Sequence, residues 1–418
     1  MFLASCACLL AGTTCIGKQT KQQSLRFVVI SDTHFGSDRG DGATVKVPRA
    51  LKNLLGKASQ ADAVFVVGDL TNRGTPEEYD LLISVFSDRT NIPEGVPVYF
   101  MGGFNHDKSA ANDYEIYRDK VKQPLNQYIE IKGYPFITLT EGGSSHTAQD
   151  QIAPAVNAEA QRFLSEKLAE ASRKYPGKPV FVFVHVPPLN TCYGSREVDG
   201  WGTDLLLPVL NRYPQAVVFS GHSHFPLGDP RSIHQGKFTS VNDGSLNYSE
   251  VEPGVVSEGI HPERFENINE GLIVNVDRNG TIEMERWDTY RNEEILPRWH
   301  VEAPHDGTRF VYANRNGLPA PVFAEGAKPE VARVTNDSIT VSFPQAADNE
   351  VVHHYLIEIR DSGRVMASYS KFSQFYLNSR MPAKLTVGFA GLPAGKKFEI
   401  QVKAVDSYGN LSTPIVSK

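Results

Sequence analysis

Hydrophobic positions along the chain follow two different rhythms. Between residues 25 and 225, short unbroken apolar runs alternate with longer segments whose apolar residues recur every three to four positions. The unbroken runs are "LRFVVISD" (25–32), "ADAVFVVGD" (61–69), "GVPVYFMGG" (95–103), "KPVFVFVH" (178–185) and "VVFSGHSHF" (217–225). Runs of this length and β-branched content predict strands buried on both faces. The helical rhythm predicts helices over 47–60, 75–88, 157–177 and 203–213. In the second of these Thr75 is positioned to cap, Pro76 to open the first turn, and Glu77 and Glu78 to face the positive end of the dipole. Strand–helix alternation predicts a layered α/β fold, central β-sheets flanked by helices with mainly parallel pairing.

From residue 271 the rhythm changes to strict alternation. "GLIVNVDRNGTIEMERWD" (271–288) reads as a hairpin around Asn279-Gly280, both residues being tolerant of positive φ, and it is expected to close the first sheet system. Residues 304–326, rich in Pro and Gly, read as a linker. The remaining stretch, 327–418, is a series of short alternating strands broken by turns, which predicts a small all-β sandwich. It resembles a fibronectin type III domain in Phe343, Tyr355, "LPAGKKF" (392–398) and "AVDSYGN" (404–410). Phe398 occupies the place of that family's corner tyrosine, so the corner hydrogen bond is expected to be missing.

Composition narrows the partners. At 418 residues, 40% apolar and 22% charged, the chain suits two soluble domains, and a net charge of −6 argues against long nucleic acid. Three of four cysteines (Cys6, Cys8, Cys15) crowd the N-terminus, so the body, with Cys192 alone, has no disulfide framework. The apolar stretch at residues 1–15, which turns polar at "GKQTKQQS" (17–24), is too short to span a bilayer and fits the apolar core of an export leader (1–22). "LASC" (3–6) resembles a bacterial lipoprotein cleavage box with Cys6 as the lipidated residue. That resemblance implies a membrane-anchored protein of the bacterial cell envelope, periplasmic or surface-exposed.

The candidate chemistry lies at the ends of the predicted strands. The five runs end in Asp32 and His34, in Asp69, in Asn105-His106-Asp107, in His185, and in His222 and His224. Ligands of α/β sheets bind beyond the carboxyl ends of strands. Any one of these residues could be a turn or cap residue, but oxygen and imidazole donors after every strand point to metal. Without thiolates the set suits Mn, Fe, Zn, Co or Ni, and the seven donors Asp32, His34, Asp69, Asn105, His185, His222 and His224 are too many for one ion and suit two ions sharing a bridge.

The motifs D-x-H, G-D, N-H-D, a later His and G-H-x-H together resemble the calcineurin-like metallophosphoesterases, over roughly residues 25–290. The resemblance implies that Asp32, His34 and His224 hold one ion, that Asn105, His185 and His222 hold the other, and that Asp69 bridges them. It places His106 beside the scissile phosphate, with Asp107 orienting its ring. One departure is Phe104, which stands where the family has glycine before the asparagine. Arg73 is a candidate phosphate contact and equally a surface arginine opening the next helix. Asn72 excludes the tyrosine ligand of purple acid phosphatases, and "GDLTNRGTPEEY" is closer to bacterial phosphodiesterases.

The expected domains are a leader (1–22), a metallophosphoesterase domain (23–303), a linker (304–326) and a fibronectin type III-like sandwich (327–418). The expected activity is binuclear-metal-dependent hydrolysis of a small phosphate ester, above all a phosphodiester, by a metal-bridging hydroxide. The alternatives are a phosphomonoesterase or nucleotidase, and a catalytically weak envelope binding protein that uses its tail. The tail is expected either to bind a polymer or to pack on the catalytic domain. The loops at 187–202 and 108–155 are the candidate substrate rims.

Overall fold

The computed structural model describes residues 24–109, 113–140, 154–255, 259–313, 315 and 318–417. The leader and Cys6 lie outside the described residues, as does part of the 108–155 rim.

The first part of the chain contains the strands β1 (Leu25–Ile30), β2 (Ala63–Val67), β3 (Val98–Met101), β4 (Asn126–Ile131), β5 (Tyr134–Leu139), β6 (Val180–Val184), β7 (Ala216–Ser220), β8 (Ile233–Gln235), β9 (Thr239–Asn242), β10 (Glu270–Val276), β11 (Ile282–Asp288) and β12 (Glu293–Val301). Its helices are α1 (Ala43–Lys57), α2 (Pro76–Ser87), α3 (Glu115–Val121), α4 (Pro154–Lys174) and the single turn α5 (Leu207–Leu210). Two six-stranded sheets form, in the orders β12-β11-β10-β1-β2-β3 and β4-β5-β6-β7-β9-β8. β1, β2 and β3 run parallel, as do β5, β6, β7 and β9. The all-apolar runs make sense here, because each central strand is covered on both faces. Inner-face aromatics interdigitate, with Phe27 edge-on to Phe65, Phe136, Phe181, Phe183 and Phe219 at centroid separations of 5.0–6.2 Å. On the outer faces α1 and α2 cover the first sheet through Leu51, Leu54, Tyr79 and Leu82, and α4 covers the second through Leu164 and Leu168.

Several local expectations shift. The helix expected at 203–213 is the single turn Leu207–Leu210, with Pro208 in its first turn, where the missing N–H prevents a helix from running through from 203. α1 starts at Ala43, ahead of the expected 47, so Pro48 sits inside the helix and not in its first turn. Only Gly280 of the Asn279-Gly280 pair has positive φ, and the turn is closed by Asp277 N–H to Thr281 C=O at 2.9 Å. The β4–β5 hairpin, turning at Lys132-Gly133 with both in the left-handed region, was not anticipated. Thr75 accepts from Glu78 N–H as expected.

The C-terminal strands are β13 (Glu330–Arg333), β14 (Ile339–Pro344), β15 (Val352–Asp361), β16 (Arg364–Phe372), β17 (Lys384–Phe389), β18 (Glu399–Asp406) and β19 (Ile415–Val416). They make two antiparallel sheets, β13-β14-β17 and β16-β15-β18-β19, around Val341, Phe343, Tyr355, Ile357, Ile400 and Val402. This sandwich rests on the first part of the chain. Phe372, Phe375, Tyr376 and Leu377 share an apolar cluster with Val251 and Ile268. Polar contacts surround it, including Ser407 Oγ to Asp229 at 2.9 Å and Arg380 to Glu293 at 3.0 Å.

Candidate metal centre

Two buried groups of metal-competent side chains sit where the two sheets meet at their carboxyl ends. Asp32, His34, Asp69 and His224 form one; Asp69, His185 and His222 form the other; each group's ligand atoms lie within 4.8 Å of one another. Asp69 therefore belongs to both. Its oxygens lie 3.1 Å from His185 Nε2 and 3.7 Å from His34 Nε2. Asp32 Oδ1 is 3.1 Å from His224 Nε2, and the Nε2 atoms of His34 and His224 face each other at 3.3 Å.

The backbone that carries these groups is unusual. Asp32, His34, Asp69, His222 and His224 all have φ between 44° and 67°, a left-handed region that non-glycine residues rarely adopt. Glycines make the close approach possible. A Cβ on Gly68 would lie 2.4 Å from the His185 ring, one on Gly103 2.1 Å from Asp69 Oδ1, and one on Gly221 2.4 Å from Asp32 Oδ2. Gly103, two residues before Asn105, is thus the glycine that makes the close approach to Asp69. Phe104 does not adopt a positive φ; it is buried, with its ring edge-on to His222 at 5.0 Å.

Hydrogen bonds fix the rings. His185 Nδ1 donates to the Val67 carbonyl and His224 Nδ1 to the Tyr248 carbonyl, both at 2.9 Å. Each Nε2 then points into the site, facing a carboxylate as a protonated imidazole and free to bind a cation once that proton is displaced. His106 Nδ1 donates to the Asn72 carbonyl at 2.7 Å, leaving Nε2 directed toward Asp69, 3.9 Å from Oδ2. Asp107 does not orient the His106 ring, contrary to expectation. Its carboxylate accepts from Gly103, Leu70 and Thr71 backbone N–H groups and so ties the loops after β2 and β3 together. Arg73 is 72% exposed at its side chain and pairs with Glu78 at 3.2 Å, the geometry of a surface arginine opening α2.

Carboxylates and imidazoles set one another's ionisation in the site. Burial opposes ionisation of Asp32 and Asp69, yet facing imidazoles hold both carboxyls below the usual range, Asp69 well below. His185 is raised to about 10 against the effect of burial, by the Asp69 carboxylate. Burial lowers His34 and His222 to about 3, so both are neutral and ready to donate. Among the described residues, buried Asp69 Oδ1, Asn105 Oδ1, His185 Nε2, His34 Nδ1 and both His222 nitrogens make no hydrogen bond. Orphaned donors and acceptors so concentrated fit a cation-binding site. Around it stand residues the sequence did not flag. Ser31 Oγ bonds Asp32 and Asp243, at 2.6 and 2.7 Å, and the Tyr248 ring lies 4.2 Å from His224. From the 187–202 loop, Trp201 meets His222 edge-on at 5.2 Å. Cys192 is buried and free, remote in character from a nucleophile.

Comparison with known proteins agrees with this geometry. The profile of the calcineurin-like phosphoesterase family matches residues 25–226. A protein of Arcobacter nitrofigilis named "Probable glycerophosphodiester phosphodiesterase GpdQ" is 28% identical over 208 residues, 47% of this chain and 71% of the relative. A glycerophosphodiester phosphodiesterase GpdQ of Enterobacter lignolyticus is 26% identical over 207 residues, 47% of this chain and 69% of the relative. A 3',5'-cyclic-nucleotide phosphodiesterase of a Nostoc species is 25% identical over 190 residues, 44% of this chain and 64% of the relative. The match spans β1 to the His222–His224 turn, so residues 25–226, which carry the buried Asp/His cluster, are similar to the calcineurin-like phosphoesterase family.

Proposed function

We propose that the protein is a metal-dependent phosphodiesterase acting on small phosphodiesters. The observation that carries this reading is the pair of buried Asp/His groups that share Asp69. In it, Asp32, His34 and His224 hold one ion, Asn105, His185 and His222 hold a second, and Asp69 holds both. The bound ions would supply an activated water and neutralise charge at phosphorus. The chain's own residues do the rest. His106, its tautomer fixed by Asn72, presents Nε2 for a hydrogen bond or proton to the leaving oxygen. Asp107 keeps the two loops at their spacing through its backbone bonds. Trp201 and Tyr248 wall the site beside His222 and His224. The diester preference is supported by the names of the relatives.

The same reading divides the chain into a leader (1–22), a catalytic domain (23–303), a linker (304–326) and a fibronectin type III-like sandwich (327–418). The three-plus-four strand arrangement supports the last assignment. The leader sequence supports export to a bacterial envelope with Cys6 lipidated.

The test is chelator-stripped protein reloaded separately with Mn, Zn, Fe, Co or Ni and assayed on bis-p-nitrophenyl phosphate and p-nitrophenyl phosphate. Metal-restored turnover faster on the diester is expected. Turnover faster on the monoester would make it a phosphomonoesterase, and none on either would falsify the enzyme reading.

A further inference from the structure

We infer that the C-terminal sandwich is part of the catalytic apparatus, with His353 a positioning residue that fixes the His222–Ser223–His224 turn through Glu252. The inference rests on the metal-centre reading above. It starts from a difficulty: His222 and His224 sit at φ 67° and 56°, and such backbone persists only where its surroundings over-determine it. The sandwich supplies part of that constraint.

His353 lies on β15, buried, with its ring tilted against Phe375 at 4.9 Å. Its Nε2 lies 3.2 Å from Glu252 Oε2, across the boundary between the sandwich and the first part of the chain. The Glu252 carboxylate also accepts from Tyr193 Oη at 2.5 Å and pairs with Arg231 at 2.7 Å. Burial opposes its ionisation, but Arg231 and His353 hold it well below the ordinary range, so it is an anion gripped from several sides.

Two arms lead from Glu252 to the metal ligands. The first is the segment 245–252 itself, which wraps His224. Within it Tyr248 C=O accepts from His224 Nδ1 at 2.9 Å, and Glu250 N–H and Ser249 Oγ donate to the His224 carbonyl at 2.9 and 3.0 Å. The second is Tyr193, whose ring lies 4.6 Å from Phe225, the residue after His224. Beside it a Cβ on Gly194 would come 2.5 Å from Ser223 Cβ, so the loop presses directly on the turn. That loop continues to Trp201 against His222. A carboxylate held by His353 therefore sets both the segment that orients one ligand and the loop that packs the turn. Without His353, Glu252 loses its one partner from the sandwich and is left to Tyr193, Arg231 and Arg196, so both arms loosen.

The test uses full-length protein, stripped of metal and titrated with Co²⁺ while its visible absorption is followed, beside thermal melting and kcat on the chromogenic diester. His353→Ala is expected to weaken Co²⁺ binding and lower kcat by about five- to tenfold, below the usual range for groups touching a ligand directly. His353→Gln, which keeps a donor near Glu252, is expected to recover most of both. Val341→Ala, in the sandwich core away from the boundary, is expected to lower the melting temperature and leave both unchanged. Should His353→Ala fail to fold, Tyr193→Phe, lacking only the hydroxyl bonded to Glu252, carries the same expectation on a smaller scale. Wild-type Co²⁺ affinity, spectrum and kcat in the folded variant, with only melting affected, would overturn the inference. Failure of the wild type to take up Co²⁺ would sink the metal centre itself, and the inference with it.

Discussion

His106 and Asp69 sit 3.9 Å apart yet answer to different forces. Asp69 is buried among imidazoles, whereas His106 is about one-third exposed and held only by the Asn72 carbonyl. Replacing His106 with Ala is therefore expected to lower kcat by roughly 10²-fold, the scale of a single proton donor, while leaving the metal content found by elemental analysis unchanged. A second residue-scale expectation concerns pH. Glu270 is fully buried, with one oxygen accepting from Leu227 N–H at 2.7 Å and the other without a hydrogen bond, and burial raises its carboxyl to about 8. Between its ordinary value of 4.5 and about 8 the native state holds a proton that the unfolded chain has lost. Stability from this group is thus present below the lower value and declines as pH rises toward the upper one. Melting temperatures of Glu270→Gln against wild type from pH 5 to 9 should diverge with rising pH, the variant ahead at the alkaline end. Residues such as Asp32, His34 and His222 were legible because each follows an unbroken apolar run. Ser31, Asp243 and Tyr248 were not, since only the folded chain brings these ordinary polar and aromatic residues to the ligands.

At the scale of elements, sharp strand-to-loop turns do the positioning. Five ligand residues leave their strands through left-handed backbone, and Gly68 lets His185 lie flush against the chain beyond β2. A methyl group there meets the imidazole ring at 2.4 Å and also imposes the cost of φ +75° on a non-glycine residue. Gly68→Ala is expected to destabilise the protein by more than ~1 kcal/mol, measured by urea unfolding, and to lower metal retention. The strands carrying ligands were the most readable part of the sequence, because continuous apolar runs have few alternatives. The β4–β5 hairpin was harder: "NQYIEIKGYPFITL" alternates weakly, and Lys132-Gly133 is a less familiar turn pair than Asn-Gly. At α5, Leu205, Leu206 and Leu207 suggest a helix from 203, whereas Pro208 is compatible only with a first turn, so the helix starts at Leu207. Sequence position alone could not reveal that Gly103, and not the residue directly before Asn105, makes the close contact with Asp69.

For the molecule as a whole, the two sheets meet along an aromatic interior and converge at one rim. Asp32, His34, Asp69 and Asn105 follow strands of the first sheet; His185, His222 and His224 follow strands of the second. Stripping metal leaves two buried carboxylates without full compensation. Chelator-treated protein is expected to melt at lower temperature than metal-loaded protein, by the equivalent of about 4 kcal/mol if the ion is present at a thousand times its dissociation constant. Differential scanning calorimetry with and without added Mn²⁺ would reveal it, and coincident melting curves would count against the site. The division of ligands between the sheets has a mechanical side. An ion gripped from both halves acts as a rivet across the seam, so its loss should unlock backbone amides along the carboxyl edges of both sheets first. The phenylalanine-packed interior, far from that edge, would keep its protons long after the rim had exchanged them.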